Sequence, residues 1–309
     1  MRVSSLLHYG LQVPDLSRGG KFYEDFGLSV SAHGSVLAVR CDAQDLDRTL
    51  LTEGPDKRLQ HIAFGVAPGD LPRMRRHLEK EGVRLEDAPA RDVAQGLPDE
   101  VAAGLWFRDP HGTLVTVREQ PPLPAPTADA PAMNVPGDYR RKDVARWLTA
   151  DAPTRPRRLG HMLIFSPDVA ASERFYGRTL GLGLSDRVPG VVTFMNCGPG
   201  DHHVFGFVQS THPGLHHSSW EVGSVDEIVL GARGLADRGS ALGWGLGRHT
   251  FGSNLFHYIR DPWGSWVEYF LDMDQITENW QPRDWQDVPS TVWCPLRPAE
   301  FTENTEPTP

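Results

Sequence analysis

The sequence predicts an α+β fold made of four strand–helix–strands units in two tandem halves. Three internal parallels predict it. His8 precedes Phe22-Tyr23 by the same 14-residue offset that separates His161 from Phe175-Tyr176. The run LQHIAFGVAPGDLPRMRRHLEKEGV (residues 59–83) parallels LHHSSWEVGSVDEIVLGARGLADRG (residues 215–239). LWFRDPHGTLVTVRE (residues 105–119) parallels FHYIRDPWGSWVEYF (residues 256–270). Repetition at this scale means that each unit is a supersecondary element that buries its apolar face against a neighbour.

In the first unit, SSLLHYGLQVP (residues 4–14) reads as a strand centred on His8, and LSRGGKFYEDFGLSV as a short amphipathic helix ending at Gly27. The third unit repeats this with a strand carrying His161, a Pro-Asp step and a helix bearing Phe175-Tyr176. The second and fourth units each begin with a histidine-bearing strand, pass an acidic turn, and continue in a helix that ends at glycine. An RDPxG turn then joins the last two strands of each half. Residues 1–120 form one expected domain and 157–273 the other. Residues 121–156, rich in Pro, Ala and Asp, are the connection, with a short helix expected at Lys142–Thr149. The tail at 274–309 is polar but holds Trp280, Trp285 and Trp293. It is therefore expected to pack on the body, either as a lid over a cavity or as a cover for sheet surface or a subunit contact. Its last residues, ENTEPTP, read as disordered.

Composition limits the function classes. With 309 residues, 39% of them hydrophobic, the chain can bury substantial cores. A formal net charge of −9 without a basic stripe argues against nucleic acid as a partner. Cys41, Cys197 and Cys294 are scattered and odd in number, which fits reduced thiols. There is no signal-peptide pattern at the N-terminus and no apolar run long enough to span a membrane, so a soluble, cytoplasmic protein is expected.

The chemistry concentrates in the second half. His161, His202, His203, His212, His216, His217, His249 and His257 all lie there, eight of the chain's thirteen histidines. In the strand SWVEYFL, alternation puts Trp266, Glu268 and Phe270 on one face. Glu268 is then a carboxylate among large apolar neighbours, which is costly unless it is paired or bound to metal. Alignment of the repeats sets His161, His217 and Glu268 against His8, His61 and Thr116. One half therefore offers two histidines and a carboxylate, while in the other the carboxylate is missing and His8 and His61 read as structural. Two histidines and one carboxylate leave positions open on an octahedral ion, the pattern of non-haem Fe(II) oxygen chemistry.

At this point residues 4–273 resemble the type I extradiol ring-cleaving dioxygenases of the vicinal oxygen chelate superfamily. The resemblance is carried most specifically by His249, His257-Tyr258, Asp261-Pro262, Gly264 and Glu268. HHSSWEV resembles the family's second-ligand strand, with His217 four residues before Glu221, and DHHVFGF resembles the segment that holds an acid–base histidine. The one departure is His257, where the family has an apolar residue. The resemblance implies paired βαβββ modules in each domain, with the metal in the C-terminal one only. It implies Fe(II), or Mn(II), held by His161, His217 and Glu268, and a catechol and O2 as reactants. His203 would be the acid–base group, with His202 the runner-up, and His249 and Tyr258 would bond the substrate oxygens. His216 is the runner-up to His217, although alternation puts it on the opposite face. Trp220, Trp244 and Phe251 would either line an apolar pocket or belong to the core, and Arg248 is merely near. The family also implies a homo-oligomer. A metal-dependent isomerase or a small-molecule-binding protein of the same superfamily is the alternative.

Overall fold

The structure, a computed structural model, describes residues 1–42, 44, 46–87, 103–122, 133–143, 149, 152–241 and 243–308. The expected helix at Lys142–Thr149 falls on residues 144–148, outside the described residues.

The first half runs β1 (Ser5–Val13), α1 (Leu16–Asp25), β2 (Ser29–His33), β3 (Val36–Arg40), β4 (Asp47–Glu53), β5 (Arg58–Val66), α2 (Leu71–Lys80), β6 (Leu85–Glu86), β7 (Leu105–Arg108) and β8 (Leu114–Glu119). The second runs β9 (Arg158–Ser166), α3 (Val169–Leu180), β10 (Gly183–Val188), β11 (Val192–Asn196), β12 (Gly200–Asp201), β13 (Phe205–Gln209), β14 (Gly214–Glu221), α4 (Val225–Asp237), β15 (Trp244–His249), β16 (Leu255–Arg260) and β17 (Trp266–Leu271). The tail adds β18 (Gln275–Ile276), β19 (Arg283–Asp284) and β20 (Thr291–Trp293). Caps set the helix starts: Asp168 accepts from Ala171 N at 2.9 Å for α3, and Ser224 accepts from Glu227 N at 3.2 Å for α4. α1 ends as expected beside Gly27, whose φ of +94° and contact with the Thr154 carbonyl leave no place for a side chain.

Among the described residues the first sheet has the order β2-β3-β4-β1-β5-β8-β7-β6. The second repeats it as β10-β11-β13-β9-β14-β17-β16-β15, with β19 added at one edge and β20 at the other. This is the two-sheet α+β arrangement that the repeats predict. β19 and β20 pair with what would otherwise be open edges, and β18 pairs with β12 in a separate two-stranded sheet. Tail tryptophans follow: Trp280 Nε1 donates to Ser185 O at 2.8 Å, and Trp285 packs edge-on to Phe251.

Strand alternation sends one face of each sheet into a shared core and leaves the other concave. Tyr9, Leu11, Ile62, Phe64, Met162, Ile164, Trp220, Val267 and Tyr269 all belong to the shared core. The helices interlock across it. Phe26 at the end of α1 stacks on Tyr269 of β17 with centroids 3.9 Å apart, and Tyr269 OH donates to Phe26 O at 2.7 Å. Reciprocally, Phe175 of α3 packs on Phe107 of β7, and Tyr176 OH donates to Asp109 Oδ2 at 3.2 Å. The repeated Phe-Tyr and RDPxG motifs are thus partners of one another across the halves. Each RDPxG aspartate also closes its own turn: Asp261 Oδ1 accepts from Trp263 N and Ser265 N, both at 2.9 Å. Cys41, Cys197 and Cys294 are free, and among the described residues no helix is long and apolar enough to cross a membrane.

The expectation that ENTEPTP is disordered is corrected. Glu306 is buried, pairs with Lys57 Nζ at 3.0 Å, and accepts from Leu59 N at 3.0 Å and Leu215 N at 2.8 Å. A single carboxylate therefore ties β5 of the first sheet to β14 of the second. Composition alone misses this, because the anchoring charge comes from Lys57, far away in sequence. Glu306→Ala leaves a buried ammonium and two amides unpaired and should cost about 3–5 kcal/mol in urea unfolding. The exposed Glu303→Ala should stay within about 0.5 kcal/mol of the parent chain. Equal unfolding curves for the two variants would show that the tail is not an anchor.

Candidate metal centre

Three adjacent central strands, β9, β14 and β17, converge on one point of the concave face in the second half. In their ladders Ser219 lies opposite both His161 and Glu268. His217 sits two residues before Ser219 and so shares its face. The result is a buried cluster of His161, His217 and Glu268 whose ligand atoms all lie within 4.8 Å of one another. His161 Nε2 is 3.1 Å and His217 Nε2 3.8 Å from Glu268 Oε2.

Glu268 is fully buried. Burial on its own would raise its pKa. The His161, His249 and His217 imidazoles around it outweigh this and hold the carboxyl well below the usual range. Ser219 Oγ donates to Oε2, and Asn254 Nδ2 donates to Oε1 at 3.2 Å. Neither Ser219 nor Asn254 was singled out from sequence. Ser219 could have been found from its two-residue spacing after His217; Asn254, on the loop before β16, carries no such signal.

The donor set fits a divalent ion. His217 Nε2 is buried without a hydrogen-bond partner and faces the Glu268 carboxylate. Burial and the neighbouring His216 keep His217 far below the ordinary imidazole range, so it offers a lone pair rather than a positive charge. Two imidazoles and one carboxylate suit Fe(II) or Mn(II).

The runner-up histidines have distinct places. The β9–β14 ladder shifts register between Leu215 and His217, so the alternation argument for His216 fails at a bulge. His216 borders the same cavity as His217, and the two Nδ1 atoms are 2.6 Å apart. Its own pKa is lowered by burial to about 3. His203 faces the cavity with its ring centroid 4.5 Å from that of His161, while His202 lies behind it, Nδ1 to Nδ1 at 3.0 Å. Desolvation first, then the surrounding imidazoles, push His203 well below 6.5. Tyr258 on β16 and His249 at the end of β15 complete the ring of groups, with His249 Nε2 2.9 Å from Tyr258 OH. Burial and the nearby Glu268 charge raise Tyr258 well above 10, so it remains a phenol.

Above these groups opens a cavity of about 460 Å³. Its upper walls are apolar, formed by Val188, Val192, Phe194, Val208 and Phe251. The tail supplies the remaining side through Val288–Thr291 and Phe301. Trp244 and Phe251 line the cavity, but Trp220 does not: alternation turns it into the shared core. His257 and Arg248 are not lining residues either. His257 packs its backbone and ring against Gly245, and Arg248 pairs with Asp272 at 2.9 Å. The cation at the rim is Arg297, exposed, from the tail.

The first half has the same register with a different outcome. His8 lies opposite Ala63 and Thr116 lies opposite Ala63, so His8, His61 and Thr116 occupy the three corresponding places. His8 and His61 bond each other through their Nε2 atoms at 3.1 Å, and both are held neutral by burial. Without a carboxylate the two rings take each other as partners at Nε2.

The model of the Glyoxalase/Bleomycin resistance protein/Dioxygenase superfamily matches residues 5–117 and 158–269. The chain is 38% identical to metapyrocatechase 2 of Cupriavidus necator, covering 98% of this chain and 93% of that one. It is 24% identical to an iron-dependent extradiol dioxygenase of Rhodococcus jostii over 92% of this chain and 94% of that one. Among solved structures, the Mn(II)-bound glyoxalase from Novosphingobium aromaticivorans is similar at a TM-score of 0.79 and 23% identity, over 100% of this chain and 96% of that one. That last likeness is one of fold.

Equilibrium dialysis against Fe(II) or Mn(II) should give a single tight ion per chain. His217→Ala should abolish it, and Asn254→Ala, which only loosens Glu268, should weaken it about 10–100-fold. Undiminished binding in His217→Ala would place the ion elsewhere.

Proposed function

We propose that this chain, which belongs to the Glyoxalase/Bleomycin resistance protein/Dioxygenase superfamily, is an extradiol dioxygenase that opens a catechol ring beside its diol at a metal held by His161, His217 and Glu268. One observation carries the reading. The two histidines of a buried two-histidine, one-carboxylate cluster line an apolar cavity, and a neutral histidine and a phenol face the same space. The names of the relatives, a metapyrocatechase and an iron-dependent extradiol dioxygenase, agree with it.

When bound, Fe(II), or Mn(II) on the same donors, supplies a place for diol and O2 side by side and a route for electrons between them. The protein's own groups do the rest. Phe194, Phe251, Val192 and Val208 receive the aromatic ring and exclude water. His203, neutral at ordinary pH, takes a proton from a catechol hydroxyl and returns it during ring opening. Tyr258 remains a hydrogen-bond donor, and His249, bonded to it, helps it hold a substrate oxygen in place. The ring bond next to the diol breaks and both oxygen atoms enter the product, a muconic semialdehyde. The ring supplies the electrons, so no separate reductant is needed.

A glyoxalase-type isomerase draws its ligands from both halves. Here the first half offers Thr116, buried and uncharged, where a carboxylate would have to stand.

Protein purified without oxygen, loaded with Fe(II) and given catechols and O2, should form yellow ring-opened product with matching oxygen uptake. Glu268→Ala should abolish turnover, and His203→Phe should lower kcat about 10²–10⁴-fold. Tight metal binding with no product from catechols of any size would sink the dioxygenase reading in favour of a metal-dependent binder.

A further inference from the structure

His203 does not stand alone. Its Nδ1 is 3.0 Å from Nδ1 of His202, and Nε2 of His202 is 3.1 Å from Oδ2 of Asp186. The line runs from a carboxylate on β10, through a buried imidazole, to the histidine that faces the cavity. All three side chains are buried. The far carboxylate oxygen of Asp186 is occupied as well, accepting from Arg283 N of β19 at 2.9 Å. The middle ring is fixed on every side. His202 N donates to Asp274 O at 2.8 Å, Ser185 Oγ donates to His202 O, and Trp280 lies edge-on to the imidazole with centroids 5.2 Å apart. Gly252, at φ +76°, covers the pair so closely that a Cβ there would lie 3.3 Å from His202 Nδ1 and from His203 Cε1. The arrangement is built and has no freedom to rotate away.

Hydrogen-bond polarity follows from the carboxylate end. A carboxylate can only accept, so His202 must carry its proton on Nε2 to donate to Asp186. In its imidazole form His202 then has a lone pair on Nδ1, which can only accept from His203 Nδ1. His203 is thereby held as the Nδ1–H tautomer, with the Nε2 lone pair left for the cavity. We propose that Asp186 and His202 are positioning residues that fix the tautomer and orientation of His203 as a proton acceptor at Nε2. This rests on the ring-cleavage reading only for its kinetic consequence; the tautomer itself does not depend on the reaction.

The order of proton positions gives a directional test. In Asp186→Asn, the side-chain oxygen keeps the Arg283 N bond and the amide nitrogen now donates to His202 Nε2. That moves the His202 proton to Nδ1 and forces the His203 proton to Nε2. His202→Gln preserves the polarity, with an acceptor for His203 and a donor for Asp186, whereas His202→Leu removes it.

The full chain, labelled with ¹⁵N-histidine and loaded with diamagnetic Zn(II), would be studied by long-range ¹H–¹⁵N correlation. The His203 ring would be assigned by its loss in His203→Gln. The expected result is a protonated Nδ1 in the parent chain and in His202→Gln, and a protonated Nε2 in Asp186→Asn. A parent chain with its proton on Nε2, or an Asp186→Asn variant with its proton still on Nδ1, overturns the proposal. In turnover, Asp186→Asn and His202→Leu should lower kcat about 10–100-fold with KM little changed, and His202→Gln should recover most of it. Equal losses in His202→Gln and His202→Leu would mark the residue as packing only. If the tautomer moves as described while the parent chain opens no catechol, the positioning role stands and the reaction assignment falls.

Discussion

A carboxylate with no access to water sits at the centre of this protein, and the second half is arranged so that its burial is tolerable. Glu268 has apolar Trp266 and Phe270 on either side along its own face, and desolvation works against its charge. Ser219, Asn254, His161 and His249 answer that cost from three strands and a loop. Such a solution tolerates no slip in register, because moving one strand by a single residue would turn every donor away from the oxygen it serves. The first half shows the other stable solution on the same framework. With Thr116 in place of the acid, two histidines bond each other and all three side chains are buried.

Much of this was legible in the chain itself. The paired offsets of His8 and His161, and the two RDPxG turns, carry the four-unit architecture because each motif has a fixed mechanical duty: the aspartate closes its own turn, and the Phe-Tyr helix fills the opposite half's core. Simple alternation also places Glu268 correctly. What escaped reading has local causes. The bulge before His217 adds a residue to one strand, so His216 comes beside the cavity where period-two counting sends it away. Trp220 could have served pocket or core equally well, since composition does not distinguish two apolar faces. The final ENTEPTP is as polar as a free tail, but its glutamate meets Lys57, Leu59 N and Leu215 N, all far upstream in the sequence.

The electrostatic character of the cavity follows from burial more than from any one partner. Desolvation is the leading cause that keeps His203, His216 and His217 uncharged. A pocket lined by neutral imidazoles and valines repels no aromatic diol and supplies lone pairs rather than cations. The two His-His dipeptides, 202–203 and 216–217, share one device: the two rings meet through their Nδ1 atoms, and the second ring keeps its Nε2 for the site.

The crossing of helices between halves bears on how the chain is made. During translation the first half leaves the ribosome before α3 exists, so Phe64, Phe107 and the Asp109 turn wait with no Tyr176 or Phe175 to cover them. α1 likewise emerges long before the Tyr269 it stacks on. The nascent chain must therefore hold an adhesive, half-finished surface through the synthesis of a second copy of its own fold, which makes it a natural client for chaperones that shield apolar faces.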